Sequence, residues 1–305
     1  MPELAEVAYF ARQWEAGAGE RVASVFLHAN SRVFRDCNPA ALETALVGER
    51  LQRCLTHGKQ MLFSFSGGHW LRVHAGMSGS LSVKAPSHEP EKHDHLVLLT
   101  RRRALVFNDP RQFGGVSLLA AAGLPETWVA LPVQPMEADF TRAHLARQLA
   151  RHRTAPLKAV LLDQSVFPGI GNWMADEVMW RMRLHPETPT GTLTEAQISE
   201  LRKVIREVCR GALATIGVHG GDPPAGWLFH DRWEKNRPCP RCGTPLVKHD
   251  VRGRTARRAP AECLGYNRPT PFRIRASRAA GGAMRPEPST QVHPGRRRTH
   301  VFLAE

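Results

Sequence analysis

Between residues 57 and 109 the chain alternates short apolar runs with polar breaks. QMLFSF gives way to SGG and then to HWLRVHAG, and HLVLLT is followed by RRR and then ALVFND. Runs of that length, ended by Gly, by Arg or by an Asn-Asp pair, read as β-strands joined by turns. Residues 2–128 are therefore mostly strand, with one helix over Glu3–Trp14. The two prolines of LPVQPMEADF, 131–140, mark a linker. From Thr141 the period changes. TRAHLARQLARH has apolar residues at helical spacing, TAPLKAVLLDQ leads into an FPGIGN turn, and WMADEVMWRMRL follows as a helix. HPETPTGTL is a loop. TEAQISELRKVIREVCRGALATIG predicts a long amphipathic helix, capped by Thr194 and ended near Gly217. GVHGGDPPAGW is a flexible Gly/Pro loop, and 227–263 form a small β-hairpin that carries a CxxC. The segment 264–305 is rich in Pro, Arg, Ala and Gly without periodicity and reads as a disordered basic tail.

Charge adds a partner to this outline. The chain of 305 residues holds 42 Lys plus Arg against 28 Asp plus Glu, a formal charge of +14. An excess of that size points to a polyanion, nucleic acid first. Part of it sits late, at Arg252–Arg258 and Arg296–Arg298. Arg101–Arg103, Arg151–Arg153 and Arg202–Arg210 spread the rest through the body. No apolar run is long enough to span a bilayer, and the N-terminal segment has no apolar core of the kind a secretion signal needs. Of the six cysteines, at 37, 54, 209, 239, 242 and 263, only Cys239 and Cys242 form a CxxC. In a cytosolic chain that spacing reads as metal or redox chemistry and excludes a disulfide framework.

Two local motifs carry candidate chemistry. In PGIGNWMADE, 168–177, a Gly-rich turn joins two helices and offers backbone N–H groups and the Asn172 side chain to a phosphate. The same ten residues serve equally as an ordinary helix–turn–helix corner. The start, MPELAEV, places a proline and a carboxylate at positions 2 and 3, where most chains tolerate any residue.

Five separated blocks decide between these readings: MPELAEV, HGKQMLFSF at 57–65, LRVHAGMSGSL at 71–81, NDPRQFG at 108–114, and LLDQSVFPGIGNWMADE at 161–177 followed by RLHP. In order and at this spacing they resemble the Fpg/Nei family of DNA glycosylases over residues 1 to about 258. The resemblance implies a multidomain α+β fold. Its parts would be an N-terminal β-sandwich domain flanked by helices (1–130), a linker (131–140), a helix-two-turn-helix domain (141–225) and a C-terminal β-hairpin finger (226–263). It implies a bifunctional DNA glycosylase/AP lyase that excises oxidised bases from double-stranded DNA, as a monomer, in the bacterial cytoplasm at the nucleoid. Removal of Met1 would expose the Pro2 amine as nucleophile for a Schiff base with C1′ of the damaged nucleoside. Glu3 would protonate the sugar ring oxygen and shuttle protons. Lys59 and His74 would approach phosphates beside the lesion, and Asn172 would grip one with neighbouring amides. Met77, Arg111 and Phe113 would fill the gap left by a flipped nucleotide, two as an apolar wedge and the arginine as donor to the orphaned base. Glu177 would hold its turn. Ala5 replaces the family's proline. A non-catalytic damaged-DNA binder on the same scaffold is the alternative, and retention of Pro2, Glu3, Lys59 and Asn172 argues against it.

The resemblance breaks in the finger, whose family pattern is CxxC, sixteen residues, CxxC. CPRC at 239–242 supplies the first pair, but positions 259 and 262 are Ala259 and Glu262, and Cys263 falls one place late. A structural zinc site takes four ligands. Three readings follow: an irregular zinc site of Cys239, Cys242, Cys263 and Glu262; a zincless finger held by packing; or a frame-shifted C-terminus after about Thr255. Arg254 matches the finger-tip arginine that contacts phosphates. The loop VHGGDPPAGWLFHDRW also departs from the family form, which leaves the lesion preference open.

Overall fold

The structure, a computed structural model, describes residues 1–234 and 236–258, with Arg258 described by its backbone alone. Ala259, Glu262, Cys263 and the 264–305 tail lie outside the described residues. Ten strands and eight α-helices are present among the described residues. Two antiparallel sheets make the N-terminal part. One has the order β1 (Val22–Leu27), β6 (Asp94–Thr100), β7 (Ala104–Asn108), β5 (Ser80–Lys84). The other runs β2 (Leu51–His57), β3 (Gln60–Phe65), β4 (His69–His74), β8 (Gly115–Ala120). Phe63, Leu71, Leu98, Phe107 and Val116 from both sheets share one buried core, so the two sheets form a sandwich.

Helix α1 (Leu4–Glu15) begins one residue later than its apolar pattern suggested, because Glu3 is its N-cap. This helix belongs to two cores. Val7, Ala11 and Trp14 are buried with the sandwich, and the Trp14 indole N–H donates to the Val106 carbonyl at 3.3 Å. Leu4 and Ala5, one turn earlier, are buried instead with the helical part. The first residues of the chain therefore sit at the seam between the two. α2 (Pro39–Leu46), absent from the sequence reading, is capped by the Asn38 side chain and opens with proline. α3 (Glu126–Val129) is a single turn before the linker.

The helical part comprises α4 (Arg142–Ala150), α5 (Leu157–Leu161), α6 (Asn172–Met182) and α7 (Glu195–Ala214). α7 starts at a reciprocal capping box. Thr194 Oγ1 accepts the Gln197 N–H, and Gln197 Oε1 accepts that of Thr194. It ends earlier than Gly217: the backbone breaks at Thr215, and Gly217 lies inside a short α8 (Ile216–His219) that Gly220 terminates with a left-handed φ of 65°. The predicted flexible loop is thus helical in its first turn. Beyond it, β9 (Val247–Val251) and β10 (Arg254–Arg258) form the hairpin. The CxxC precedes the hairpin in a tight turn, where the Gly243 N–H donates to the Cys239 carbonyl at 2.8 Å.

Candidate active site and nucleic-acid interface

The blocks that are far apart in sequence meet at the N-terminus of α6. Glu3 is 2 % exposed. Its Oε2 accepts the Gly171 N–H at 2.9 Å and the Met174 N–H at 3.1 Å, and its Oε1 accepts the Trp173 N–H at 2.9 Å. The carboxylate of the first domain thus satisfies the open amides of a helix in the second. The amides of Gly171, Trp173 and Met174 are therefore paired with an internal carboxylate. Burial and the nearby Glu6 push the Glu3 carboxyl up to about 7, against the opposing pull of Lys59 and of the Trp173 and Met174 amides. Burial costs the charged form more than the amides and the lysine return to it. The Leu4 N–H donates to the Gly169 carbonyl at 2.9 Å and fixes the same seam.

Pro2 precedes Glu3 and is half-buried. With Met1 in place, the N-terminal amine is held below its ordinary pKa, first by burial and then by Lys59 and Arg111, while Glu3 and Glu6 oppose. Lys59 occupies the two-residue turn between β2 and β3. That turn abuts the Pro168–Gly169 corner, where a Cβ on Gly58 would lie 2.9 Å from Pro168 Cβ. Lys59 is 8 % exposed, and its ammonium is lowered by burial first and by Arg254 as well, with Glu3 opposing. Arg254 reaches this group from the first residue of β10. Asn172 opens α6, half-buried, and its Oδ1 is enclosed without a hydrogen-bond partner. Pro2, Glu3, Lys59, Asn172 and Arg254 therefore converge from four elements.

His74, at the end of β4, leads into the loop that carries Met77. Its Nδ1 accepts the Gly76 N–H at 3.0 Å, and the surrounding walls together with Lys59, Arg35 and Arg72 hold its pKa below the ordinary value. Met77 is 40 % and Phe113 45 % exposed, large apolar side chains left on the surface. The Arg111 guanidinium lies 4.7 Å from the Phe113 ring centroid. Their two loops touch at Gly76, whose φ is +62° and where a Cβ would sit 2.4 Å from the Phe113 carbonyl carbon.

Two groups that the sequence reading passed over organise these parts. The first is Asp109, fully buried. Its Oδ2 accepts the Gly114 N–H at 2.7 Å, and its Oδ1 accepts the Ser78 hydroxyl at 2.7 Å, so it ties the Met77 and Phe113 loops together. Arg35 donates to the Gly114 carbonyl at 2.7 Å from the other side. The Asp in NDPRQFG was the available signal, since Asp in a turn commonly accepts nearby backbone N–H groups. The second group is Asp176, 1 % exposed, between Lys158 at 0 % and Arg232 at 5 %. Lys158 pairs with Oδ1, and Arg232 reaches Oδ2 at 2.6 Å. Lys158 Nζ also donates to the Thr255 carbonyl at 2.8 Å, and the Arg257 N–H donates to Asp176 Oδ2 at 3.1 Å. A buried charge cluster therefore anchors β10, and with it Arg254, to α5 and α6. Glu177, next to Asp176, is fully buried and accepts from Arg181 at 2.7 Å, a structural contact.

The described part of the finger supplies two thiols, Cys239 and Cys242. Cys239 packs with Trp180, Leu228 and Leu246 and receives the Trp180 indole N–H at 3.3 Å. Two thiolates do not make a closed four-ligand zinc site. Cys263 and Glu262, the expected remainder, lie outside the described residues.

A buried carboxylate thus caps the N-terminus of α6 beside Lys59, and Met77, Arg111 and Phe113 are exposed on two adjoining loops. Comparison with known proteins is specific about the class of protein. The formamidopyrimidine-DNA glycosylase N-terminal domain matches residues 1–116, and the formamidopyrimidine-DNA glycosylase H2TH domain matches 131–220. The formamidopyrimidine-DNA glycosylase of Chloroflexus aurantiacus is 34 % identical over 259 residues, covering 81 % of this chain and 92 % of that one. That of Roseiflexus sp. is 36 % identical over 275 residues, covering 86 % and 99 %. Among solved structures, the Lactococcus lactis enzyme bound non-covalently to DNA with an AP site superposes with a TM-score of 0.75 at 26 % identity, over 86 % of this chain and 98 % of that one. The same enzyme with DNA containing an oxidised pyrimidine gives 0.77 at 27 %, over 86 % and 99 %. The chain belongs to the formamidopyrimidine-DNA glycosylase family.

Proposed function

We propose that the protein is a bifunctional DNA glycosylase/AP lyase that removes oxidised bases from duplex DNA through a Schiff base on Pro2. The observation that carries this reading is Glu3: a buried carboxyl pushed up to about 7 beside the chain's N-terminal amine. A carboxyl at that value is half protonated near neutrality, the condition for donating and then accepting a proton. After removal of Met1 the Pro2 nitrogen is the terminal amine, one residue from Glu3. In its neutral form it attacks C1′, and the C1′–base bond breaks with its electron pair leaving on the base, which takes up the proton released by the Pro2 nitrogen. Glu3 protonates the ring oxygen O4′ as the C1′–O4′ bond opens, and an iminium joins Pro2 to C1′. The iminium makes the C2′ proton acidic. Its removal by the Glu3 carboxylate expels the 3′ phosphate and cuts the strand. Lys59, His74, Asn172 and Arg254 hold the flanking phosphates, whose charge they complement. Met77 and Phe113 enter the stack as the damaged nucleotide leaves it, and Arg111 donates to the orphaned base.

Borohydride trapping tests this directly, because it reduces the iminium to a stable cross-link. Met1-processed protein is mixed with duplexes carrying 8-oxoguanine, an oxidised pyrimidine or an abasic site. A cross-link is expected with wild type and none with Pro2→Gly, while DNA binding persists in both. Full cleavage by Pro2→Gly and by Glu3→Gln would overturn the assignment, and a folded wild type without trapping on any duplex would favour the damaged-DNA binder.

A further inference from the structure

The hairpin also meets the helical part through His249, which follows the CxxC pair Cys239 and Cys242. His185 and Glu187 lie in the α6–α7 loop, and His249 is the middle residue of β9. One ligand atom from each of the three lies within 4.8 Å of the others. His249 Nε2 is 3.2 Å from Glu187 Oε2. It is enclosed, and no well-formed hydrogen bond satisfies it. The two imidazole rings meet edge to face with centroids 5.2 Å apart. His185 Nδ1 receives the Glu187 N–H at 3.2 Å, a long contact that a metal bound to the neutral ring would replace.

Both sides of this cluster are held in place by other contacts. The loop is tied to α5 by the Leu157 N–H on the Thr188 carbonyl at 2.8 Å and the Lys158 N–H on the Pro186 carbonyl at 3.2 Å. β9 is registered on β10, with His249 opposite the buried Ala256, and β10 is anchored at Asp176. Three ligand-type side chains from two fixed segments are thus brought together in advance, which lowers the entropy cost of closing an ion between them.

We propose that His185, Glu187 and His249 bind a divalent transition metal, with zinc the best match, and that the ion staples the finger hairpin to the helical domain. Two imidazoles and one carboxylate suit zinc at neutral pH, with water in the fourth position. The site would restrain the hairpin that carries Arg254, from residues other than the CxxC. It stands independently of the glycosylase reading.

Metal-stripped full-length protein titrated with zinc tests the site, read by bound zinc per chain and by the thermal midpoint. One equivalent and a raised midpoint are expected. Both should persist in the Cys239→Ser/Cys242→Ser double variant and be lost in His249→Ala, with Glu187→Gln binding at least about tenfold more weakly. Zinc content unchanged in His249→Ala, or lost in the cysteine double variant alone, overturns the proposal. So does an absence of binding, which reduces the cluster to a Glu187–His249 ion pair. Should His249→Ala fail to fold, cobalt in the cysteine double variant decides. Visible d–d bands without thiolate charge transfer support the site, and their absence refutes it.

Discussion

The tightest constraint at the scale of single residues falls on Gly171. A Cβ there would lie 2.3 Å from Glu3 Cδ, closer than any real contact. Gly171→Ala should therefore push the carboxylate off the three amides. The expected results are about 1–3 kcal/mol of lost stability by thermal unfolding and roughly a hundredfold slower single-turnover excision. Wild-type kinetics in that variant would remove Glu3 from the reaction centre. The carboxyl also sets a pH dependence. Its pKa rises from 4.5 in the unfolded chain to about 7 in the fold, so between those values the folded protein keeps a proton that the unfolded chain has lost. This contribution to stability is complete below pH 4.5 and is lost as pH rises through about 7. The proton-donating form declines over the same range. Single-turnover excision should fall above about pH 7, and Glu3→Gln should abolish that limb along with a factor of about 10²–10⁴ in rate. A wild-type profile flat from pH 6 to 9 would exclude Glu3 as the acid.

At the scale of elements, one buried carboxylate holds the Met77 and Phe113 loops and another holds the hairpin. Asp109 fixes both loops, so Asp109→Ala should loosen Met77 and Phe113 together, the two side chains proposed as the wedge. Losing its hydrogen bonds costs about 1.5–3 kcal/mol, a ten- to hundredfold effect. It should appear in excision of a stacked base and much less in cleavage at an abasic site, where no base must be displaced. Equal losses on both substrates would contradict the wedge role. Asp176 holds the hairpin, and Asp176→Ala leaves Lys158 and Arg232 buried without their anion, at a cost of about 3–5 kcal/mol in unfolding free energy. The elements differ in how far the sequence disclosed them. QMLFSF and ALVFN are short, apolar and punctuated, and the Thr194 box states the start of α7 in four residues. The break at Thr215 had no Gly or Pro at the place where it occurs. MPE, HGK and PGIGN were visible as motifs, but the hydrogen bonds from Gly171 to Glu3 span 168 positions, and no local pattern encodes that separation. Asp176 was one charged residue in the helix that follows the FPGIGN turn. Only the docking of β10 makes it an anchor.

Across the whole molecule the formal charge of +14 is not spread evenly in its effect. Arg101, Arg102 and Arg151 are exposed elsewhere along the chain, whereas Lys59 and Arg254 converge on the seam beside Glu3. The two contributions separate in a salt titration. Each phosphate neutralised releases condensed counterions, so log affinity falls with log salt by about 0.9 per contact. Arg254→Ala should weaken binding by a similar factor on every sequence and reduce the magnitude of that slope by about 1. Pro2→Gly, which exchanges the rigid secondary amine for a flexible primary one and removes no charge, should leave the slope unchanged while abolishing trapping. Measured together by fluorescence anisotropy across a salt series, the two variants divide the site into a part that grips phosphate and a part that breaks bonds. An unaltered slope in Arg254→Ala would mean that the hairpin stands clear of the backbone. The anchor at Asp176 would then serve stability alone.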